Sequence, residues 1–297
     1  MYRYSVRVPQ HVPRITLGVY VRRAFCLLPE HALRDAFSQR DIKMDGVRCG
    51  REEQVRPGSE VAVYTPYEAR LPVAYEDAHV LALDKPAGMS CDADGYGSMT
   101  AEDWAAFYAR DAFVPRLCHR LDTPTSGLLL LAKDDLAYQA LVEMLARHTG
   151  DKTYECLVRG TPKPAEARLQ AWWTKDALHS RVRVADRQTP ESKPIETAYR
   201  VMRPGEASLL RVTLYTGRTH QIRAHMAHLG HPVLGDDLYG DRAFNRACGA
   251  GALMLRSLSI RIDTGGALPG LDGQTLSVPS RLEEKYKSIL NRKRGNP

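Results

Sequence analysis

The sequence predicts an α+β protein: a mixed, largely antiparallel central sheet with flanking helices, preceded by a small α/β module. Three observations lead there. Short apolar runs bounded by Gly and Pro outnumber stretches of helical periodicity. Strands and helices follow one another in mixed order, without a regular βαβ alternation. Gly/Pro punctuation at residues 57–72 separates a helix-containing opening from a strand-rich remainder. Residues 1–66 are therefore expected to form the small module, and residues 67–297 the main domain with a basic C-terminal tail.

In the opening segment, Leu17, Tyr20, Val21 and Ala24 recur at helical spacing, as do Ala32, Leu33, Ala36 and Phe37, so helices are expected at 17–25 and 30–37. The turn MDGV (44–47) marks a tight hairpin, and EVAVY (60–64) a closing strand. Farther on, HVLALD (79–84) is a buried-type strand stopped by KPAG (85–88), and LLLLA (128–132) is another. Asp134 can cap a helix whose apolar face is Leu136, Ala140, Leu141, Met144 and Leu145, ended by Gly150. TYECLV (153–158), AYRVM (198–202) and LLRVTLY (209–215) complete the predicted strands. TGRTHQIR (216–223) then opens a helix with Ile222, Met226 and Leu229 inward, ended by Gly230 and Pro232. Residues 164–190 read as irregular.

Hydrophobic residues make up 43% and charged residues 26%, which excludes disorder as the main state. The longest apolar stretch, Leu128–Ala132, is far short of the ~18 residues a membrane span needs. The opening MYRYSVRVPQ holds no apolar leader, so a cytoplasmic location is expected. Six cysteines at 26, 49, 91, 118, 156 and 248 form no CxxC pair, and scattered reduced thiols are expected. The net charge of +7 sits at the ends: residues 1–66 carry eleven Lys/Arg against seven Asp/Glu, and residues 281–297 carry six against two. A near-neutral body with two basic ends suits a polyanionic partner. Ordinary solvated surface is the bland alternative.

Two segments concentrate chemistry. CHRLDTPTSG (118–127) places Asp122 at the mouth of an apolar strand with Arg120 two residues away, as a nucleophile or general base held charged by an arginine. A loop aspartate in local turn bonds is the bland reading of the same residues. RTHQIRAHMAHLGH (218–231) holds four histidines, at 220, 225, 228 and 231. Their spacing lacks the i,i+4 carboxylate-bearing pattern of a zinc helix, and two arginines would repel a dication, so no metal is expected. Arg218 and Arg223 suit phosphate or carboxylate instead.

HRLDTPTSG (119–127) resembles the HRLD-x-x-TSG motif of RNA pseudouridine synthases of the RluA type. GRTHQIRAHMAHLGHPVLGDDLYG (217–240) is similar to the family's second block, and KPAG (85–88) and KTY (152–154) fall in its order. The resemblance spans about residues 71–280. Residues 14–65 also resemble the small ribosomal-protein-type RNA-binding domain that many such enzymes carry. The resemblance implies the pseudouridine synthase fold and isomerisation of uridine to pseudouridine in structured RNA, with no cofactor or metal; ribosomal and transfer RNA are both targets of the family, and the N-terminal module leans toward ribosomal RNA. It implies catalytic roles for Asp122, which acts on sugar or base, for Tyr154, which stacks on the base and serves in proton removal, and for Arg223, which pairs bidentately with the aspartate. It places Arg120, His119, Thr125, Arg218, His220 and Gln221 around a flipped-out nucleotide. A monomer is expected. An inactive RNA-binding assembly factor on the same fold is the alternative, and a metal-dependent hydrolase built on the histidines is a third reading. Departures fall at 89–94, at 164–192, and at Met254, which stands where the family usually has histidine.

Overall fold

The computed structural model describes residues 1–93, 95, 97–176 and 181–294, with side chains to residue 289. Strand β1 (Tyr2–Arg7) opens the chain, followed by helices α1 (Leu17–Ala24) and α2 (Glu30–Ser38). The hairpin β2 (Ile42–Met44) and β3 (Val47–Arg48) turns through Asp45 and Gly46, both with positive φ, as a two-residue turn between twisted strands requires. β4 (Glu60–Thr65) completes a four-stranded sheet in the order β1-β4-β2-β3. Its core of Leu17, Tyr20, Val21, Leu33, Ile42, Val61 and Val63 is its own. It joins the rest of the chain where the Met99 N–H donates to the Ala24 carbonyl and where Cys26 and Leu27 pack on the main core. β1 was not foreseen, because YRYSVR interleaves its apolar positions with arginines.

The second sheet has eleven strands. The chain runs through β5 (Val73–Glu76), β6 (Val80–Lys85), α3 (Ala101–Ala109), β7 (Arg116–Leu117), β8 (Ser126–Ala132), α4 (Asp135–Arg147) and β9 (Lys152–Arg159). There follow β10 (Glu166–Asp176), β11 (Arg181–Ala185), β12 (Lys193–Arg203), β13 (Ala207–Leu214), α5 (Gln221–His228), α6 (Arg242–Ala247), β14 (Leu255–Arg261), β15 (Thr275–Ser277) and α7 (Leu282–Arg294). The order is β11-β10-β12-β13-β9-β14-β8-β6-β5, with β15 on β14 and β7 on β8. Among these strands only β14 and β8 pair in parallel, so the sheet is largely antiparallel as predicted.

β8 shows why its sequence is uniformly apolar. Leu128, Leu130 and Ala132 face the core under α4, whereas Leu129 and Leu131 face the core under α3 and α5. A strand covered on both faces has no polar side to display. On α4 the Asp134 carboxylate accepts the Ala137 N–H as the predicted cap, but the inward face is Ala137, Ala140, Leu141, Met144 and Leu145. Leu136 is exposed, which corrects its place in the predicted face. Residues 164–190 are also corrected: most of the segment forms β10 and β11, paired from Trp172 with Ala185 to Asp176 with Arg181. Trp173 is buried and Trp172 half-buried. Residues 177–180 lie outside the described ones, as do residues 295–297 of the predicted tail. Among the described residues no helix is long and apolar enough to cross a membrane, and all six cysteines are free thiols.

Candidate active site

The loop between β7 and β8 carries Asp122 and is tied down through its backbone. The fully buried Lys85 ammonium donates to the carbonyls of Met89 (2.7 Å), Pro86 (3.2 Å), Thr123 (3.3 Å) and Asp122 (3.4 Å). Burial pushes the Lys85 pKa down to about 8. Cys91 imitates a strand partner, its thiol accepting the Leu121 N–H and donating to the Leu121 carbonyl. The Thr125 N–H donates to the Asp122 carbonyl and closes the turn. Immediately after it, Gly127 has φ +111° and approaches β14 so closely that a Cβ would stand 2.0 Å from the Ser257 carbonyl oxygen. Ser257 is also the β14 register partner of Tyr154 on β9, so loop, parallel seam and tyrosine converge at one point.

The Asp122 carboxylate, with 23% of its side chain exposed, faces a cavity of about 960 Å³. Behind it the buried Arg223 of α5 donates through Nη1 to Asp122 Oδ2 at 3.3 Å. The bidentate contact expected between these two is made elsewhere. Arg223 Nε and Nη2 donate to Asp236 Oδ2 and Oδ1 at 2.7 and 2.9 Å, in fork geometry. Asp236 is buried and also accepts the N–H groups of Leu238 and Tyr239. Burial acts to lower the Arg223 pKa and to raise that of Asp236, but the pairing outweighs it: Arg223 lies above and Asp236 below its ordinary range. A guanidinium in this position cannot follow the substrate. It is a fixed donor aimed at Asp122.

Tyr154 projects from β9 into the cavity wall, 8% exposed, and burial lifts its phenol to about 12. The other residues expected at the substrate all line the cavity but differ in what their side chains do. Arg120 and Arg218 are exposed, Arg120 paired to Asp92 at 3.2 Å. Thr125 is buried in the loop turn. His119 Nε2 accepts the Leu130 N–H at 3.2 Å, and burial foremost, with the Lys152 charge, lowers its pKa to about 4, so it is neutral. Gln221 is buried and its amide is fully engaged, donating to the Glu196 carbonyl and Thr197 Oγ1 and accepting from Thr216 Oγ1 and the Arg218 N–H. His220, at φ 54°, stands 3.8 Å from Asp122 Oδ2, with Nδ1 3.0 Å from the Tyr239 hydroxyl.

The four histidines diverge. His220 meets Tyr239, His225 meets Thr197 Oγ1, His228 meets Asp186 and His231 meets the Arg159 carbonyl. Among the described residues no group of His, Cys, Asp or Glu is arranged to hold a metal ion. The β10–β11 hairpin braces this region, Trp173 Nε1 donating to the Thr219 carbonyl and the Val182 N–H to the Tyr239 hydroxyl. Sequence reasoning passed over Asp236, Lys85 as the anchor of the loop, and Lys152 in the cavity wall. The adjacent carboxylates at 236 and 237 were the available signal, since a buried arginine requires one.

The profile of the family described as RNA pseudouridylate synthase matches residues 79–228, which contain Asp122, Tyr154 and Arg223. The ribosomal large subunit pseudouridine synthase C of Escherichia coli (strain K12) is 35% identical over 228 residues, covering 75% of this chain and 70% of that protein. The protein of the same name from Pasteurella multocida (strain Pm70) is 32% identical over 84% of this chain and 75% of its own length. The solved structure of human RNA pseudouridylate synthase domain containing 1 superposes with a TM-score of 0.58 at 24% identity, covering 79% of this chain and 99% of that one. Human RNA pseudouridylate synthase domain containing 4 gives 0.61 at 20% identity over 74% and 92%. These two share the fold. With the profile match over half the chain and the bacterial relatives over three quarters of it, the chain belongs to the RNA pseudouridylate synthase family, as an RluA-type enzyme.

Proposed function

We propose that this enzyme isomerises uridine to pseudouridine in large-subunit ribosomal RNA, with Asp122 acting on the flipped-out target nucleotide. The observation that carries the reading is the carboxylate of Asp122, open to a nucleotide-sized cavity and held from behind by a buried, fixed guanidinium. The N1–C1′ bond breaks, the uracil turns while held, and C5 bonds to C1′. C5 loses its proton and N1 gains one. Atoms and electrons balance within the nucleotide, so the reaction requires no redox cofactor. Asp122 supplies the anionic group facing sugar and base, and Arg223 fixes its direction. Tyr154 gives the base an aromatic face, an interaction of about 1–3 kcal/mol. With its phenol at about 12, Tyr154 is protonated at neutral pH, which supports a stacking and hydrogen-bonding role over the proton removal that the resemblance implies.

A stacked uridine is out of reach, and flipping it costs a few kcal/mol that stacking and phosphate contacts offset. Arg120 and Arg218 at the cavity mouth face the RNA backbone. His119, Thr125 and Gln221 shape the wall that the nucleotide meets. Residues 1–66, with a separate core and a net positive charge, add affinity as an RNA-binding module beside the catalytic domain at 67–297. Ribosomal RNA is the substrate class because the bacterial relatives are named for it. The test is incubation with unmodified large-subunit rRNA and tRNA transcripts, followed by carbodiimide labelling and primer extension. A new stop in rRNA is expected. Stops in tRNA alone would reassign the substrate, and none in either would refute the reading.

A further inference from the structure

Lys152 opens β9 two residues before Tyr154, so its side chain leaves the sheet on the same face, and it lines the same cavity. It is 8% exposed. Among the described residues its ammonium makes no hydrogen bond or ion pair, and burial alone lowers its pKa. Its Nζ is not among the enclosed polar atoms that lack a partner, so the ammonium opens to the cavity, where an anion can reach it. Lys85, by contrast, rests on four carbonyls. The Lys152 Nζ lies 3.1 Å from where a Cβ on Gly217 would stand, so it rests against the turn that carries Arg218. His148, the left-handed C-cap of α4, lines the same cavity, and the Lys152 and Arg218 charges add to burial in lowering its pKa.

The end of α4, the start of β9 and the β13–α5 turn thus bring two cations and an imidazole to one wall, apart from the Arg223–Asp236 pair. We propose that Lys152, with Arg218 and His148, is a phosphate-binding subsite that seats a phosphodiester adjoining the nucleotide at Tyr154. This rests on the RNA reading above. The chemistry fits: phosphate oxygens accept from an ammonium's three donors and a guanidinium's fork, and such charge-assisted bonds are the strong ones. The two side chains leave β9 about 7 Å apart, within the reach of one nucleotide's base and its phosphate.

The test uses the full chain and inorganic phosphate at constant ionic strength, with chloride as control, read as thermal shift. Wild type is expected to gain stability in phosphate. Lys152→Met should lose that gain while melting close to wild type in chloride. Its affinity for large-subunit rRNA should fall about tenfold, the value of one charge-assisted hydrogen bond. Lys152→Arg should restore most of both responses. An equal phosphate response in wild type and Lys152→Met, or unchanged RNA affinity, overturns the subsite. Lower melting of Lys152→Met with the phosphate response retained also overturns it, making Lys152 a packing residue. Failure of the synthase reading gives a different result: wild type forms no pseudouridine while its phosphate response persists.

Discussion

Asp236→Asn isolates the support of the site from the site itself. Asparagine keeps the shape of Asp236 but removes the charge that Arg223 Nε and Nη2 engage at 2.7 and 2.9 Å. Both partners are buried, and removing one charge of such a pair costs about 3–5 kcal/mol. With a urea dependence of ~3 kcal/mol per M, the unfolding midpoint at pH 7 should drop by about 1 M. The folded pKa of Asp236 is depressed, so its contribution is present above the unfolded carboxylate value of ~3.9 and fades as pH falls through the folded value. The wild-type and Asp236→Asn midpoints should therefore converge in acid. Freed from Asp236, the Arg223 guanidinium can turn toward Asp122 and Asp237, and the displacement should slow single-turnover pseudouridine formation by about 10². Urea titration across pH and single-turnover kinetics are the assays. Equal midpoints at pH 7, or a gap that survives full protonation of Asp236, would show that the Asp236 charge does not hold Arg223 in place.

Gly127→Ala would set a Cβ 2.0 Å from the Ser257 carbonyl oxygen at a φ of +111°, so a stability loss of at least about 3 kcal/mol is expected from chemical denaturation. His119 has a folded pKa of about 4 against ~6.5 unfolded, so the unfolded state binds more protons between them. Stability from this group is whole above pH ~6.5 and lost as pH falls toward 4; His119→Gln should flatten that part of the pH–stability curve, and an unchanged slope would contradict the assignment. Removing residues 1–66 should weaken rRNA binding and reduce its salt slope, measured by filter binding at several ionic strengths; an unaltered slope would remove this segment from recognition.

The elements legible in the sequence were those whose pattern is local. LLLLA between Gly127 and Lys133 could only be a strand buried on both faces, and Asp134 announced the helix behind it. The tyrosine-bearing strand and the helix of Arg223 were legible for the same reason. β10 and β11 were not, because they set Arg168, Gln170, Arg181 and Arg183 outward at the end of the sheet where β11 is the edge strand, diluting the apolar alternation. Asp122, Tyr154 and Arg223 were found through motif resemblance; periodicity alone reached no further than a carboxylate near arginines. The clamp of Arg223 on Asp236 escaped because a buried ion pair leaves no trace in hydropathy. Lys152 escaped for the same reason: a buried lysine and a solvated one look alike until the walls around them are known.

In the proposed function Asp122, aimed by Arg223, performs the isomerisation. Its most direct test is tritium release from large-subunit rRNA labelled at uridine C5, with wild type beside Asp122→Asn, and RNA binding measured on both. Wild type should release tritium in proportion to pseudouridine formed. Asp122→Asn should release none while binding RNA within about a few fold of wild type, because the carboxylate contributes to chemistry more than to affinity. Release by Asp122→Asn at a rate near that of wild type, or loss of its RNA binding together with release, would contradict the claim.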